Sequence, residues 1–468
     1  MVVRHAGPLG DRTRTSPLGL RNVQAMLHHP LEHLQFLAEQ HGDIVTMPML
    51  SEQWLLLVHP DDVEALLVAS HASVVRDQFA IYLRRVLGQG LLTSDGELWK
   101  RQRRLLASAF TPKRIRGYAA SMVSVTDRGL DRLEAGVVVR LHEVMSRLTM
   151  EVVAEVLFGA GIGEGDVRTV SSALAVMNSI LGNSLEAALR LPLWVPTPKH
   201  VAARQHLTRL DALVHRFIED RRREGVENRD DLLSALLGAV DEDGTRMSDT
   251  QLRDETITLF LAGHETTSLA LSHAFYLLGK NPDVLRRVQA EVDSVLGGRL
   301  PTEADVAKLS LTERVIKEAM RLYPPAWITG REVAEPITIA GHTVPVGTQV
   351  VVSQWLVHRD PRWWPRPEAF DPDRFLPEVA KTRPRFSYFP FGGGPRVCIG
   401  SHFAMLEAVL LLALITSRFE VELLPFEQLR FAPSVTLQPR DRGVRVRFQP
   451  RATKARDTTV PAAPPPDR

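Results

Sequence analysis

The chain has 468 residues, 44% of them hydrophobic, enough for one large core or for two to three ordinary domains. Lysine and arginine number 57 against 55 acidic residues, so the net charge of +2 offers no global attraction to nucleic acid or to a membrane surface. A single cysteine, Cys398, excludes an intramolecular disulfide and any metal site built from several cysteines.

In chain order, residues 1–18 are polar and non-periodic and hold no apolar stretch long enough for a secretory signal or a membrane anchor. They are expected to form a flexible segment of a cytoplasmic protein. Residues 43–58 read as a β-hairpin. Phe79 and Ile81 lie in a loop before a helix over 98–110, on which Trp99 and Arg103 share one face at i, i+4. Apolar residues at three- and four-residue spacing predict helices over 122–133, 148–158, 207–218 and 284–296. Between them, LPLWVPTP at 191–198 reads as an extended connection, because three prolines oppose helix.

One predicted helix is long. Ser248 caps it, Gln251 completes a capping box, and the pattern persists to Lys280 before Asn281-Pro282 stops it. At 1.5 Å per residue it spans about 48 Å. Near its middle, Ala262-Gly263-His264-Glu265-Thr266-Thr267 interrupts an otherwise apolar rod, and buried polarity there asks for a reason. His264 reads as a hydrogen-bonded core histidine. Glu318 and Arg321 stand at i, i+3 on a helix ended by Pro324-Pro325; spacing alone favours a surface ion pair. Residues 337–352 suggest a second hairpin around Ala340-Gly341, and 419–448 add β character. The apolar run 406–415 is half a membrane span long and contains Glu407, which suits a core helix. The Pro-rich tail 451–468 is expected to be disordered, leaving one domain over 19–450 that is mainly α with small β-sheets.

The segment carrying the sharpest chemistry is Phe391-Gly392-Gly393-Gly394-Pro395-Arg396-Val397-Cys398-Ile399-Gly400, followed by an apolar helix through Phe403, Ala404 and Glu407. Taken alone, a lone cysteine is a small buried hydrophobe. A glycine-rich loop, however, lets backbone approach a flat ligand, aims amide N–H groups at the sulfur and sets a helix N-terminus beside it. Amides and helix end both favour a thiolate.

This loop resembles the heme-binding loop F-x-x-G-x-R-x-C-x-G of the cytochrome P-450 family at Phe391, Gly394, Arg396, Cys398 and Gly400. Similar segments occur at Glu318 and Arg321 (E-x-x-R), at Arg374 in Asp371-Pro372-Asp373-Arg374-Phe375, at Trp99 and Arg103, and at Ala262, Gly263, Glu265, Thr266 and Thr267 (A-G-x-[DE]-T-[ST]). His358-Arg359-Asp360-Pro361 is also similar.

The resemblance implies one triangular heme-thiolate monooxygenase fold binding heme b (iron protoporphyrin IX). It implies Cys398 as the iron ligand, Phe391, Gly392 and Gly400 around it, and Trp99, Arg103, Arg331 and Arg396 toward the propionates. Ala262 and Gly263 would leave room beside the iron, and Glu265 and Thr266 would manage protons for dioxygen. Glu318, Arg321 and Arg374 would buttress the heme loop. The implied reaction is R–H plus O2, two electrons and two protons giving R–OH and water. A hydrophobic guest such as a fatty acid, terpenoid, steroid or polyketide would meet Ala262, Ala326, Trp327, Ile328, Val435, Phe79 and Ile81. Electrons would come from a separate ferredoxin or flavodoxin with its reductase, docking at Lys100, Arg101, Arg104, Lys113 and Arg114. The alternatives are a peroxide-driven peroxygenase, against which the Glu265–Thr266 pair speaks, and a non-catalytic heme sensor.

Overall fold

The computed structural model describes residues 19–159, 162–181, 191, 194–227, 229, 231–241 and 244–451. The expected flexible segment 1–18 and the expected tail, apart from Arg451, lie outside these residues. Arg451 is held by Asp293 and the Thr416 carbonyl, so the fold continues one residue past the expected boundary.

The principal helices are α1 Leu20–His28, α2 Gln78–Leu87, α3 Gly96–Ala107, α4 Ala119–Leu130, α5 Leu141–Phe158, α6 Glu164–Leu181, α7 Pro198–Glu224, α8 Asp249–Lys280, α9 Pro282–Leu296, α10 Ser310–Leu322 and α11 Ser401–Arg418. The central one is α8, whose 32 residues span about 48 Å. Its start is set by the reciprocal Ser248–Gln251 capping box, and its end by Asn281, after which Pro282 opens α9. Helices α5, α10 and α11 pack around it, so it is buried on most sides rather than along one stripe.

Phe79 and Ile81 lie inside α2, not in a loop. Of the extended connection expected at 191–198, residues 192 and 193 lie outside the described residues, and its last residue belongs to a helix. Pro198 is the first residue of α7, with Thr197 accepting from the His200 N–H; proline is well placed there because its missing N–H has no helical partner to lose.

The strands are β1 Ile44–Met49, β2 Glu52–Leu57, β3 Val74–Val75, β4 Val138–Arg140, β5 Thr329–Val333, β6 Ile337–Ile339, β7 His342–Val344, β8 Gln349–Val352, β9 Phe419–Leu423, β10 Phe431–Pro433, β11 Leu437–Pro439 and β12 Arg445–Pro450. Five form a sheet in the order β1-β2-β8-β5-β3. The hairpin expected over 337–352 is therefore divided. β6 and β7 pair across Ala340-Gly341, both at positive φ (48° and 83°) as a two-residue hairpin turn requires, while β8, buried throughout, runs parallel to β2. α11 is, by length and composition, the one helix among the described residues able to cross a membrane. Most of it is buried against α4, α8, α9 and α10, as a core helix would be.

The Glu318–Arg321 pair, which spacing alone would leave at the surface, has no solvent exposure. Arg321 donates to both Glu318 oxygens at 2.7 and 2.8 Å and to the carbonyls of His358, Pro367 and Ala369. Glu318 also accepts the Asp371 N–H and lies 3.4 Å from Arg374. One guanidinium thus ties α10 to the chain that leads into the glycine-rich loop. Glu318→Ala would strand Arg321 as a buried charge, and we expect urea unfolding to show a loss of about 3–5 kcal/mol. A loss under about 1 kcal/mol would equate the pair with a surface bridge.

Candidate active site

A cavity of about 660 Å³ lies between the middle of α8 and the loop 391–400. On the loop side Cys398 faces into it, deep in the protein although its sulfur borders open space. The loop approaches the turn 65–69 so closely that a Cβ on Gly394, which is at φ +66°, would fall 2.0 Å from the Leu67 carbonyl oxygen. Only glycine permits that path. The Cys398 N–H is held by the Phe391 carbonyl at 2.9 Å, and α11 begins three residues later.

Burial pushes the Cys398 thiol up, while the Gly400 N–H and the charge of Arg103 pull the other way. The expected amide contribution is thus present, yet by themselves the loop and its neighbours do not favour a thiolate. Coordination to a cation would deprotonate the sulfur outright.

At the cavity edge stand Arg76, Arg103, Arg331 and Arg396, with Trp99. Arg396 donates to Asp95 at 2.5 Å and to the Ser94 carbonyl, and its guanidinium lies over the Trp99 ring at 4.3 Å. Burial, with Arg331 and Arg84 nearby, lowers its pKa to about 10 despite Asp95. Arg76 is held well below the ordinary arginine range by burial and then by the charges of Arg331 and Arg396; its Nε is buried without a partner. Asp95 already accepts from Arg84, Arg396 and the Arg76 backbone N–H. Buried like charges with too few carboxylates call for an anionic guest.

The opposite wall is α8. Four successive carbonyls accept side-chain hydroxyls: Ala262 from Thr266 (2.9 Å), Gly263 from Thr267 (3.1 Å), His264 from Thr149 (3.1 Å) and Glu265 from Ser268 (2.8 Å). This is the polar interruption, and Thr266 does back-bond to the helix. Its hydrogen being so directed, its oxygen lone pairs are what it can offer the cavity. A Cβ on Gly263 would meet Val153 at 3.4 Å, so this glycine answers to the packing of α8 on α5 as well as to space in the cavity.

Glu265 is buried, its carboxyl pushed up to about 7 by burial against the opposing pull of the Gln438 amide. His264 is a neutral core histidine, held down to about 4 by burial, with Nδ1 at the Phe260 carbonyl.

Ala262, Ala326, Trp327, Ile328, Val435 and Phe79 line the cavity; Ile81 does not. Two residues apart on α2, positions 79 and 81 point to nearly opposite sides. Arg101 also departs from expectation. It is engaged with Asp241, Thr245, Gln251 and the Arg246 carbonyl, pinning α3 to the chain before α8, and Arg104 reaches the same Asp241. Lys100 pairs with Glu97, whereas Lys113 and Arg114 are exposed.

Three residues of the site escaped the sequence reading: Arg76, Asp95 and Gln438. Asp95 had a visible signal, since it occupies an N-cap position; its carboxylate makes no cap bond and serves the arginines instead. Arg76 and Gln438 had none.

The arrangement sets a thiol on one face of the cavity, buried guanidinium groups at its edge and a polar helix break on the other face. The family model described as Cytochrome P450 matches residues 17–442. Cyclooctatin synthase of Streptomyces melanosporofaciens is 38% identical over 431 residues, covering 91% of this chain and 94% of that protein. Cyclooctat-9-en-7-ol 5-monooxygenase of the same species is 35% identical, covering 87% and 88%, and pentalenene oxygenase of Streptomyces avermitilis 34%, covering 86% and 90%. The chain belongs to the cytochrome P450 family and is a heme-thiolate monooxygenase. The pocket fits heme: two propionates would answer the crowded guanidinium groups, and the chain's single thiol faces the cavity.

Arg76→Met should then act in opposite directions on the two forms of the protein. Burial and the charges of Arg331 and Arg396 outweigh the pull of Asp95 and Asp77 on Arg76, so its removal should raise the stability of heme-free chain by about 1 kcal/mol or more. Loss of a charged donor should speed heme transfer to an acceptor protein about tenfold. Equal effects on both forms would show that Arg76 is indifferent to the guest.

Proposed function

We propose that this chain inserts one atom of O2 into a terpene-like hydrophobic substrate, with heme b as cofactor and electrons from a separate ferredoxin or flavodoxin with its reductase. The observation that carries the reading is the opposition, across one apolar-walled cavity, of Cys398 to Ala262, Thr266 and Glu265. The names of the relatives, which include a pentalenene oxygenase and a cyclooctat-9-en-7-ol monooxygenase, support the substrate class. A cytoplasmic location belongs to the same proposal, and α11, mostly buried against its own chain, does not argue for a membrane span.

When bound, heme iron ligated by the Cys398 thiolate supplies the centre at which dioxygen is activated, the thiolate favouring O–O cleavage. Arg76, Arg103, Arg331 and Arg396, with Trp99, would hold the propionates, and Phe391, Gly392 and Gly400 would shape the sulfur's surroundings. Ala262 and Gly263 border the space for oxygen. Glu265, poised near neutrality, holds and releases protons on the cavity side. The Thr266 oxygen, its hydrogen committed to the Ala262 carbonyl, would accept a hydrogen bond from a proton-bearing group in the cavity. Ala326, Trp327, Ile328, Val435 and Phe79 provide an apolar seat for substrate.

Thr266→Ala should retain reduction while diverting reduced nicotinamide into hydrogen peroxide, with product per nicotinamide falling several-fold. Glu265→Gln should slow the whole cycle about tenfold or more, because the proton supply itself is impaired. Both variants should keep the far-red-shifted Soret band of the reduced carbon monoxide complex, which Cys398→Ser should lose. Wild-type coupling in Thr266→Ala would mean that its hydroxyl serves only the helix.

For electron delivery, Phe110 approaches the position of a Cβ on Gly400 at 3.9 Å, and Lys113 and Arg114 follow within a turn. They offer an exposed cationic approach to the cysteine loop. Charge reversal at both should cut the reduction rate by an acidic carrier about tenfold at low salt and flatten its salt dependence. Rates insensitive to both changes would remove this docking site.

A further inference from the structure

Glu265 and Gln438 belong to different cavities. Glu265 is a wall residue of the heme cavity; Gln438 lines an adjoining cleft of about 480 Å³, bordered also by His28 and Arg440 and, in common with the heme cavity, by Asn178 and Ser434. The Gln438 Nε2 donates to Glu265 Oε1 and, at 3.1 Å, to Thr436 Oγ1. Sequence periodicity explains how. In β11, Leu437 is fully buried in the core around the main sheet and its N–H is fixed at the Pro325 carbonyl, so the next side chain turns the other way, toward α8. The hairpin β10–β11 thus reaches across and takes hold of the acid at the break in α8.

We propose that Gln438 is a positioning residue for the monooxygenase reaction: it holds the Glu265 carboxyl at the boundary between the heme cavity and the outer cleft, oriented to take up a proton from the cleft. The proposal rests on Glu265 acting as the proton donor. Glu265 sits in a setting that offers little other polar support. Among the described residues, burial and the Gln438 amide are the influences on its protonation. Of the titratable groups on the elements around it, His264 on its own helix and His142 on α5 are held down to about 4 by burial, Glu407 on α11 is pushed well up by burial, and Arg440 beyond the hairpin lines the outer cleft with Gln438. An amide N–H stabilises the ionised carboxylate, so the tether keeps the acid able to release its proton as well as hold it.

The test uses the heme-loaded enzyme and two opposed variants. Gln438→Met keeps the length and loses the donor, so the ionised form is less favoured and protonation persists to higher pH. Gln438→Lys keeps a donor and adds a cation, which favours the ionised form and moves protonation to lower pH. The infrared carbonyl stretch of the protonated Glu265 carboxyl, assigned by its loss in Glu265→Gln, should therefore titrate about one pH unit higher in Gln438→Met and lower in Gln438→Lys. The alkaline limb of product formation should move with it in each case, and Gln438→Met should have no further effect in a Glu265→Gln background.

General loss of structure would not move two titrations in opposite directions. Titrations that stay at the wild-type pH, or move the same way in both variants, would overturn the tether. Infrared titrations that separate as expected while the limb of product formation stays fixed would instead overturn Glu265 as the proton donor, and the proposal with it.

Discussion

The guanidinium of Arg321 and the carboxylate of Glu318 meet where solvent reaches neither, and three backbone carbonyls from the segment beyond α10 take up the remaining hydrogens of Arg321. Removing two charges from water costs several kcal/mol per ion unless nearly every hydrogen-bonding position is satisfied. The pair therefore demands that residues 358–371 lie where their carbonyls can serve it. Those residues carry the chain toward the loop 391–400, so the position of Cys398 against α8 depends on an electrostatic account closed elsewhere. A buried ion pair is weak evidence for stability but a strict condition on geometry, and this one acts in the second way.

The same desolvation operates throughout the cavity with a different result. It raises Cys398 and Glu265, lowers His264 and weakens the hold of Arg76, Arg331 and Arg396 on their charges. Around α10 the chain supplies its own counter-charges; around the cavity it leaves cations in excess and a sulfur without a cation. Heme, with two propionates and an iron, would answer both, and the burial that is unfavourable to the polypeptide alone would then be compensated. Glu265 stands between these extremes. Its single amide partner is enough to keep it near neutrality and insufficient to fix it in one protonation state.

What could be read in the sequence was whatever is local. The limits of α8 follow from Ser248, Gln251 and Pro282, each acting within a turn of itself, and the cysteine loop declares itself through consecutive glycines. The hairpin at Ala340-Gly341 was legible as a turn, but not the departure of β8 to a parallel partner, because parallel pairing leaves no short-range mark. Arg101 and Arg104 look alike in sequence, yet the first is pinned by Asp241 and its neighbours while the second stays half-exposed. Arg76 and Gln438 became visible only when distant segments met. Ile81 was misplaced for want of a helical phase.

Cys398 is also the chain's only sulfhydryl, and it borders the cavity that receives the cofactor. A neutral thiol reagent small enough to enter can modify only those molecules whose sulfur is not engaged by iron. Each molecule therefore carries a one-to-one gauge of its own loading, with no background from other thiols. In a mixed preparation, the stoichiometry of alkylation would count the unloaded fraction directly, by mass alone and without recourse to colour.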